Sequence, residues 1–356
     1  MIVNPIVSVI MPVRNEASFI ETSLRTVLLQ DYPSENMEVI VVDGMSTDQT
    51  RNRVLSLFAE YPNISTQVLE NPGKIVPTAM NIGIRVARGE WIVRMDGHSE
   101  YPTNYLSECL ETSQRTSADN VGGLFISQPP KDSIGPRFVQ AITTHRFGVG
   151  NADYRLNARE GLADTVPYGC YRRSVFAQIG WYDERLVRNQ DYELNARLHK
   201  AGGLVWRNPD IKIYYHNQST FLGLLRQAIF TGEWNPWMWY VAPYSLSLRH
   251  GIPGLFVFSI LFSSIVFVFS YWGGVLLLAI IIPYFILALL SAGQQAVRYG
   301  WWMTLLLPFM FLAYHLAYGL GTIWGILLLL VRRAPVQMEQ EPWANAGRYR
   351  AWPIKG

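Results

Sequence analysis

Asp96 and His98 stand at the end of an apolar run, "WIVRMDGH", with Gly97 between them. On an extended strand, side chains two residues apart point to the same side, so this carboxylate and imidazole could share one cation, with Gly97 permitting a sharp turn. Magnesium prefers oxygen ligands, and an imidazole shifts the preference towards manganese or another transition ion. A strand-end aspartate is also a common turn former. Other carboxylates stand in comparable places. Asp43 and Asp48 follow the apolar run "MEVIVV", and Asp191 lies in "RNQDYEL". Taken alone, Asp191 also reads as a helix-start acid beside Asn189 and Gln190. No G-x-G-x-x-G follows an early strand, and G-x-x-x-x-G-K-[ST] does not occur. The two commonest phosphate cradles are therefore missing. A nucleotide bound by this chain needs another anchor for its diphosphate, and a divalent metal at Asp96 and His98 is the candidate.

The elements that would position these residues are legible as two alternating periods. "IVSVIMPV", "MEVIVVDG", "STQVLENP" and "WIVRMD" read as strands. Helix-like segments separate them at Glu16 to Gln30, Ser46 to Tyr61 and Ile75 to Arg88. Ser46 or Thr47 can cap the second, and Gly89 stops the third. This alternation predicts an α/β fold with a mostly parallel sheet and helices on both faces. Ligands in such sheets bind at the carboxyl ends of the strands. Those ends are Pro12–Glu16, Asp43–Asp48, Glu70–Lys74 and Asp96–His98, a polar and acidic rim.

The chain has 356 residues, of which 49% are hydrophobic and 16% charged. Charge runs through residues 1–250 and almost disappears over 251–331. A formal charge of +3 with no basic run gives no argument for a nucleic-acid partner. Cys109 and Cys170 are far apart, which fits a reduced compartment and excludes a cysteine zinc site. The apolar N-terminus lacks a basic region and a small-residue cleavage site, so it reads as a first strand and leaves the N-terminal part cytosolic. The expected domains are 1–219, the α/β unit; 220–250, an interfacial aromatic segment; 251–331, a transmembrane region; and 332–356, a polar tail. In the second, Trp234, Trp237, Trp239, Tyr240 and Tyr244 would sit at headgroup depth, the alternative being ordinary aromatic packing. In the third, Leu255–Trp272 is long enough to span, Val275–Leu290 is short and contains Pro283, and Trp301–Val331 exceeds the roughly 20 residues one span needs. The tail's basic residues favour a cytosolic end and an even number of crossings, whereas three stretches favour an odd number.

Four blocks occur in order: "VIMPVRNEASFIETSLRTVLLQDYP", "EVIVVDGMSTDQT", "NPGKIVPTAMNIGIRVARGEWIVRMDGH" and "RNQDYELNARLHKAGG". Together, over residues 6 to 235, they resemble the family 2 glycosyltransferases of GT-A fold, in particular the membrane-attached group typified by the succinoglycan biosynthesis protein ExoA. The resemblance implies a role for each matched residue. Pro12, Arg14, Asn15 and Glu16 match the first nucleotide-contacting loop. Asp43 matches the carboxylate that accepts from a uracil ring, with Ser46 and Asp48 in the same loop. Lys74 and Asn81 lie in the segment that lines the nucleotide. Asp96 and His98 occupy the D-x-D position, which holds the metal bridging the diphosphate; here a histidine replaces the second aspartate. Asp191 falls on the catalytic aspartate, with Gln190 beside it. Tyr168, Gly169, Cys170, Arg172 and Arg173 fall in the region that shapes the acceptor site. A glycine turn into a helix with a solvated basic end is the alternative for that segment. Cys170 has no histidine partner nearby and is no nucleophile candidate. His216, in "IYYHNQS", stands between a metal or diphosphate contact and a satisfied structural histidine.

The implied activity is inverting transfer from a nucleotide sugar, UDP-linked by the resemblance, with a manganese or magnesium ion. The membrane region points to a lipid-linked saccharide acceptor. First-sugar transfer to a polyprenyl phosphate is the competing acceptor. "RQAIFTGEW" fails the Q-x-x-R-W spacing of processive members, so one sugar is added per encounter. Two other classes compete: a non-catalytic membrane scaffold, favoured by His98, and a nicotinamide-dependent dehydrogenase, disfavoured by the missing glycine fingerprint.

Overall fold

The computed structural model describes residues 6–128, 134–156 and 159–333. These form two compact units, one from residues 6–126 and 159–216, the other from 127–128, 134–156 and 217–333.

The first unit is built on β1 (Val7–Val13), α1 (Ile20–Leu28), β2 (Met37–Asp43), α2 (Thr50–Glu60), β3 (Ser65–Glu70), α3 (Val76–Val86) and β4 (Trp91–Arg94). β3, β2, β1 and β4 lie side by side in parallel, with Val7 opposite both Met37 and Trp91. Their register brings the ends of all four strands to one rim. After β5 (Ser99–Glu100) and α4 (Tyr105–Thr116), the chain adds β6 (Asn120–Gln128). The second unit then contributes α5 (Ile134–Thr143) and α6 (Arg146–Val149). Back in the first unit come β7 (Gly161–Leu162), β8 (Cys170–Arg172), α7 (Arg173–Ile179), α8 (Gln190–Lys200) and β9 (Val205–His216). β8 enters beside β4 antiparallel, and the sheet reads β3-β2-β1-β4-β8-β6-β9-β5, with β7 on β9. The expected α/β sheet is therefore mixed, parallel on one side and antiparallel on the other.

Alternation along β1 sends Val7, Val9, Met11 and Val13 to one face, where α1 supplies Ile20, Leu24 and Val27 and α4 supplies Leu106 and Cys109. Ile10 faces the other side with Met80 and Ile84 of α3 and Leu194 and Leu198 of α8. Gly83 allows α3 to lie this close, since a Cβ there would come within 2.5 Å of Ile10 Cγ2. A buried polar knot fixes the opposite end of the sheet. Ser8 Oγ donates to Glu38 Oε1 at 2.5 Å and accepts from Gly89 N–H at 2.8 Å, while Arg88 reaches Glu38 through its backbone and guanidinium. Burial pushes the Glu38 carboxyl up, but these hydrogen bonds outweigh it and hold it below its ordinary range. The carboxylate's contribution is thus present above the unfolded-state value and is lost as pH falls through the lower folded one. Ser8→Ala leaves the Gly89 N–H without its acceptor and removes one of the two hydrogen bonds to Glu38 Oε1. It is expected to lower stability by about 1–3 kcal/mol, read from thermal unfolding of the solubilised protein.

The second unit continues with α9 (Phe221–Val241), α10 (Leu248–Phe269), α11 (Tyr271–Tyr299) and α12 (Met303–Leu330). The last three are long and apolar enough to cross a membrane. The segment expected to be short, Val275–Leu290, belongs to a helix of 29 residues that runs through Pro283. Lost backbone hydrogen bonds at such prolines are made good by neighbouring groups. Trp234 and Trp237 of α9 are buried, whereas Tyr240 remains exposed. α9 packs on α12 through glycines: a Cβ at Gly232 would lie 2.2 Å from the Tyr318 carbonyl oxygen, and one at Gly321 2.2 Å from that of Ile229. Small residues let membrane helices approach this closely. Residues 134–156 cluster with these helices, an excursion that chain order conceals, and Gln295 Nε2 donates to the Ala141 carbonyl at 2.6 Å. The tail expected over 332–356 lies outside the described residues from 334 onward.

Candidate active site

The loops after β1 and β2 are laced into one surface. Asn15 donates its N–H to Ser46 Oγ and accepts from Thr47 N–H on Oδ1, both at 2.9 Å. Glu16 N–H donates to Thr50 Oγ1, and Ala17 N–H to Asp48 Oδ2. Asp43 is buried at the end of β2, where Ser46 Oγ donates to Oδ1 at 2.5 Å. Its backbone carbonyl accepts from Asn71 N–H, which brings in the loop after β3. Pro12 lies in β1 opposite Val42, beyond the last β4 partner, where a missing N–H costs no ladder bond on that side. Arg14 and Lys74 are exposed on the same loops. Backbone strain gathers on this rim: Asn15, Met45 and Lys74 all have positive φ, at 54°, 58° and 58°. Non-glycine residues in that region persist where the surroundings over-determine them, and they cluster at functional sites.

The end of β4 carries the charged centre. Asp96 is 6% exposed and its N–H donates to Tyr101 Oη at 2.6 Å. Arg94, 4% exposed, points Nε and Nη2 at the two oxygens of Asp96 at 2.7 and 2.8 Å. Its Nη1 donates to both oxygens of Asp191 at 2.7 Å. Asp191 lies in the first turn of α8, where the helix dipole favours negative charge. Its pKa is raised above the ordinary carboxylate value by burial and by Asp96, while Arg94 opposes the shift. The preceding Asn189 has φ 64°, and Gln190 is buried beside it.

His98 turns to Glu16, with Nδ1 3.0 Å from Oε1. An ionised carboxylate only accepts, so Nδ1 carries the proton and Nε2 is left with its lone pair in the neutral ring. A carboxylate behind a histidine is the usual support for a metal-ligating imidazole. Burial lowers the His98 pKa, but the Glu16 bond and the charges of Asp96 and Glu16 outweigh it and raise the value. Each Asp96 oxygen keeps a second lone pair beyond its Arg94 bond. Among the described residues no group of three or more His, Cys, Asp or Glu forms a ready-made cage. The free lone pairs on Asp96 and on His98 Nε2 are of the kind a divalent cation accepts.

The structure divides the acceptor-region candidates. Tyr168 is buried, bonds Ser99 through its hydroxyl at 2.8 Å and lays its ring 5.2 Å from the Arg94 guanidinium carbon. Gly169, at φ 89°, accepts from Arg94 N–H on its carbonyl. Cys170 points instead into the core with Val93 and Cys109, and is closed to any acceptor. Arg172 and Arg173 lie at the opposite end of the strands. Because β8 runs antiparallel to β4, Arg172 pairs with Trp91 at the start of β4 and stacks over its ring at 4.7 Å. Asn81 departs from the nucleotide-lining expectation: its amide accepts from Tyr182 N–H and donates to the Tyr182 carbonyl and to Glu184. His216 bonds Glu100 at 3.0 Å and packs on Phe19, which is the structural alternative. Arg94 and Tyr101 were missed. An arginine ending an apolar strand was the signal, since a buried guanidinium requires carboxylate partners.

Residues 8–180 match the family described as glycosyl transferase family 2. A dolichyl N-acetyl-alpha-D-glucosaminyl phosphate 3-beta-D-2,3-diacetamido-2,3-dideoxy-beta-D-glucuronosyltransferase of Methanococcus voltae is 27% identical, covering 72% of this chain and 79% of its own. The succinoglycan biosynthesis protein ExoA of Rhizobium meliloti is 29% identical, over 63% and 67%. Among solved structures, the mannosyltransferase PcManGT of Pyrobaculum calidifontis, in complex with GDP-Man and Mn2+, aligns with a TM-score of 0.56 at 20% identity, covering 91% of this chain and 88% of that one. The fold is that of GT-A enzymes followed by three long apolar helices. The chain is a glycosyltransferase, similar over residues 8–180 to family 2. The dehydrogenase alternative falls with that assignment.

Proposed function

We propose that the protein is an inverting transferase that moves one sugar from a UDP-linked donor to a lipid-linked saccharide in glycan assembly, with its catalytic unit on the cytosolic side of a bacterial-type plasma membrane. The observation that carries this reading is the placement of Asp96 and Asp191 on one guanidinium. The shared guanidinium holds the two carboxylates at fixed spacing, which supports a reading with one on the diphosphate side and the other as base. Asp43 accepts from the uracil ring, and Arg14, Asn15, Glu16, Ser46, Asp48 and Lys74 form the nucleotide-binding rim. Asp96 and His98 hold a manganese or magnesium ion. When bound, the ion supplies neutralisation of the charge that gathers on the departing diphosphate. Asp191 takes the proton of the acceptor hydroxyl as it attacks in line, so an α-linked donor gives a β-linked product. Tyr168 and Gly169 border the acceptor side. A lipid-linked acceptor is supported by the spanning helices and by the dolichyl-linked substrate in the name of the Methanococcus relative.

The test is nucleotide release by the detergent-solubilised full chain, with a panel of UDP- and GDP-sugars, with and without manganese, and with a crude lipid-linked saccharide extract. One UDP-sugar giving release that needs both metal and extract is the expected result. Release from a GDP-sugar alone would overturn the donor assignment, and release indifferent to extract would overturn the acceptor.

A further inference from the structure

Arg94 has no part in the sequence-based assignment, yet it makes more contacts to functional carboxylates than any nucleotide-rim residue described above. Its two guanidinium edges are used separately. The Nε and Nη2 edge meets Asp96 fork to fork, and Nη1 is shared by both oxygens of Asp191. Its backbone N–H is held by the Gly169 carbonyl, and the Tyr168 ring covers one face of the guanidinium. Nothing in the arrangement lets Arg94 turn without breaking a bond to a carboxylate. Only a planar, multi-donor cation can span both groups; an ammonium is a point charge and satisfies one at a time.

We propose that Arg94 is a positioning residue that fixes the Asp191 carboxylate relative to Asp96, and so relative to the donor diphosphate, without touching substrate itself. The inference rests on Asp191 being the base. Its physical basis is that a base must meet the acceptor hydroxyl at hydrogen-bond range, and an error near 1 Å costs about 10²-fold. Asp191 sits on α8 and Asp96 on the β4 end, and the guanidinium is their one shared partner among the bonds described above.

The test uses the solubilised full chain with the UDP-sugar that supports release, the lipid-linked extract and manganese. Arg94→Lys is expected to lower kcat about tenfold, with the donor KM and the affinity for UDP in manganese within about twofold. In an Asp191→Asn background the same substitution should cost nothing further in kcat, because the group it positions is already gone. Arg94→Ala is expected to regain activity with added guanidinium ion and not with sodium chloride at equal ionic strength. Unchanged kcat in Arg94→Lys, or full additivity with Asp191→Asn, would overturn the proposal. So would a loss expressed wholly in donor KM. Wild-type kcat in Asp191→Asn alone would instead overturn the base assignment, which separates the two failures. Thermal unfolding of Arg94→Lys within a few degrees of wild type confirms that the folded enzyme is being compared.

Discussion

Asp191→Asn is expected to lower kcat by about 10²–10⁴-fold, the usual contribution of a positioned proton acceptor, while leaving the donor KM near wild type. Asparagine keeps the shape of the side chain, and one oxygen can still accept from Arg94 Nη1, so the site is not emptied. What is lost is the capacity to take a proton. The same carboxylate should govern the acid limb of the pH profile. Burial raises its pKa, Asp96 adds to that, and Arg94 holds it back without cancelling it. A base works only when deprotonated, so kcat falls as pH falls through this raised value. The limb therefore lies above the pH at which an ordinary aspartate titrates. Initial rates of nucleotide release across pH, for wild type and variant, check both parts. The asparagine variant should show a low, flat residual rate over the range in which wild type declines. A variant that retains kcat within about threefold, or retains the acid limb, would remove Asp191 from the role of base.

The strand ends were legible because their signals are local. Apolar runs stopping at Asp43 and Asp96, with helix-period segments between, place both carboxylates on one rim. The site's internal wiring was not legible in that way. Arg94 reads as a stray charge in "WIVRMD" until β8 and α8 are folded against β4, because its partners lie two and 97 residues away. Antiparallel entry of β8 had no sequence signature either. It reverses the direction of the "GCYRR" segment, so that Gly169 meets Arg94 while Arg172 and Arg173 are carried to the other end of the strands. Proximity in sequence to the base suggested otherwise. Burial decided Cys170, since period-two alternation sends it to the α4 face with Cys109. The buried tryptophans of α9 show the same limit. Composition places them at a membrane interface, whereas Trp234 and Trp237 are buried within the protein.

Asp96→Asn is the second large expected effect, a fall of about 10²–10³-fold in kcat/KM, equivalent to about 2.7–4 kcal/mol of transition-state stabilisation. Its cause differs from that of Asp191→Asn, and the difference is measurable. An amide oxygen retains one acceptor towards Arg94 but carries no charge, so a cation would be left with His98 Nε2 and the donor's own phosphates. On the proposed reading, wild-type affinity for UDP rises when manganese is added, and in the variant that increment shrinks or vanishes. The residual activity should also carry a displaced pH profile. Asp96 is among the groups that raise the Asp191 pKa, so removing its charge moves the acid limb to lower pH, with Arg94 now facing one carboxylate instead of two. Loss of metal-dependent UDP binding together with a downward shift of that limb would place both functions on one carboxylate. Undiminished metal-dependent UDP binding in the variant would detach the cation from Asp96 and leave the residue as the fixed end of the Arg94 clamp.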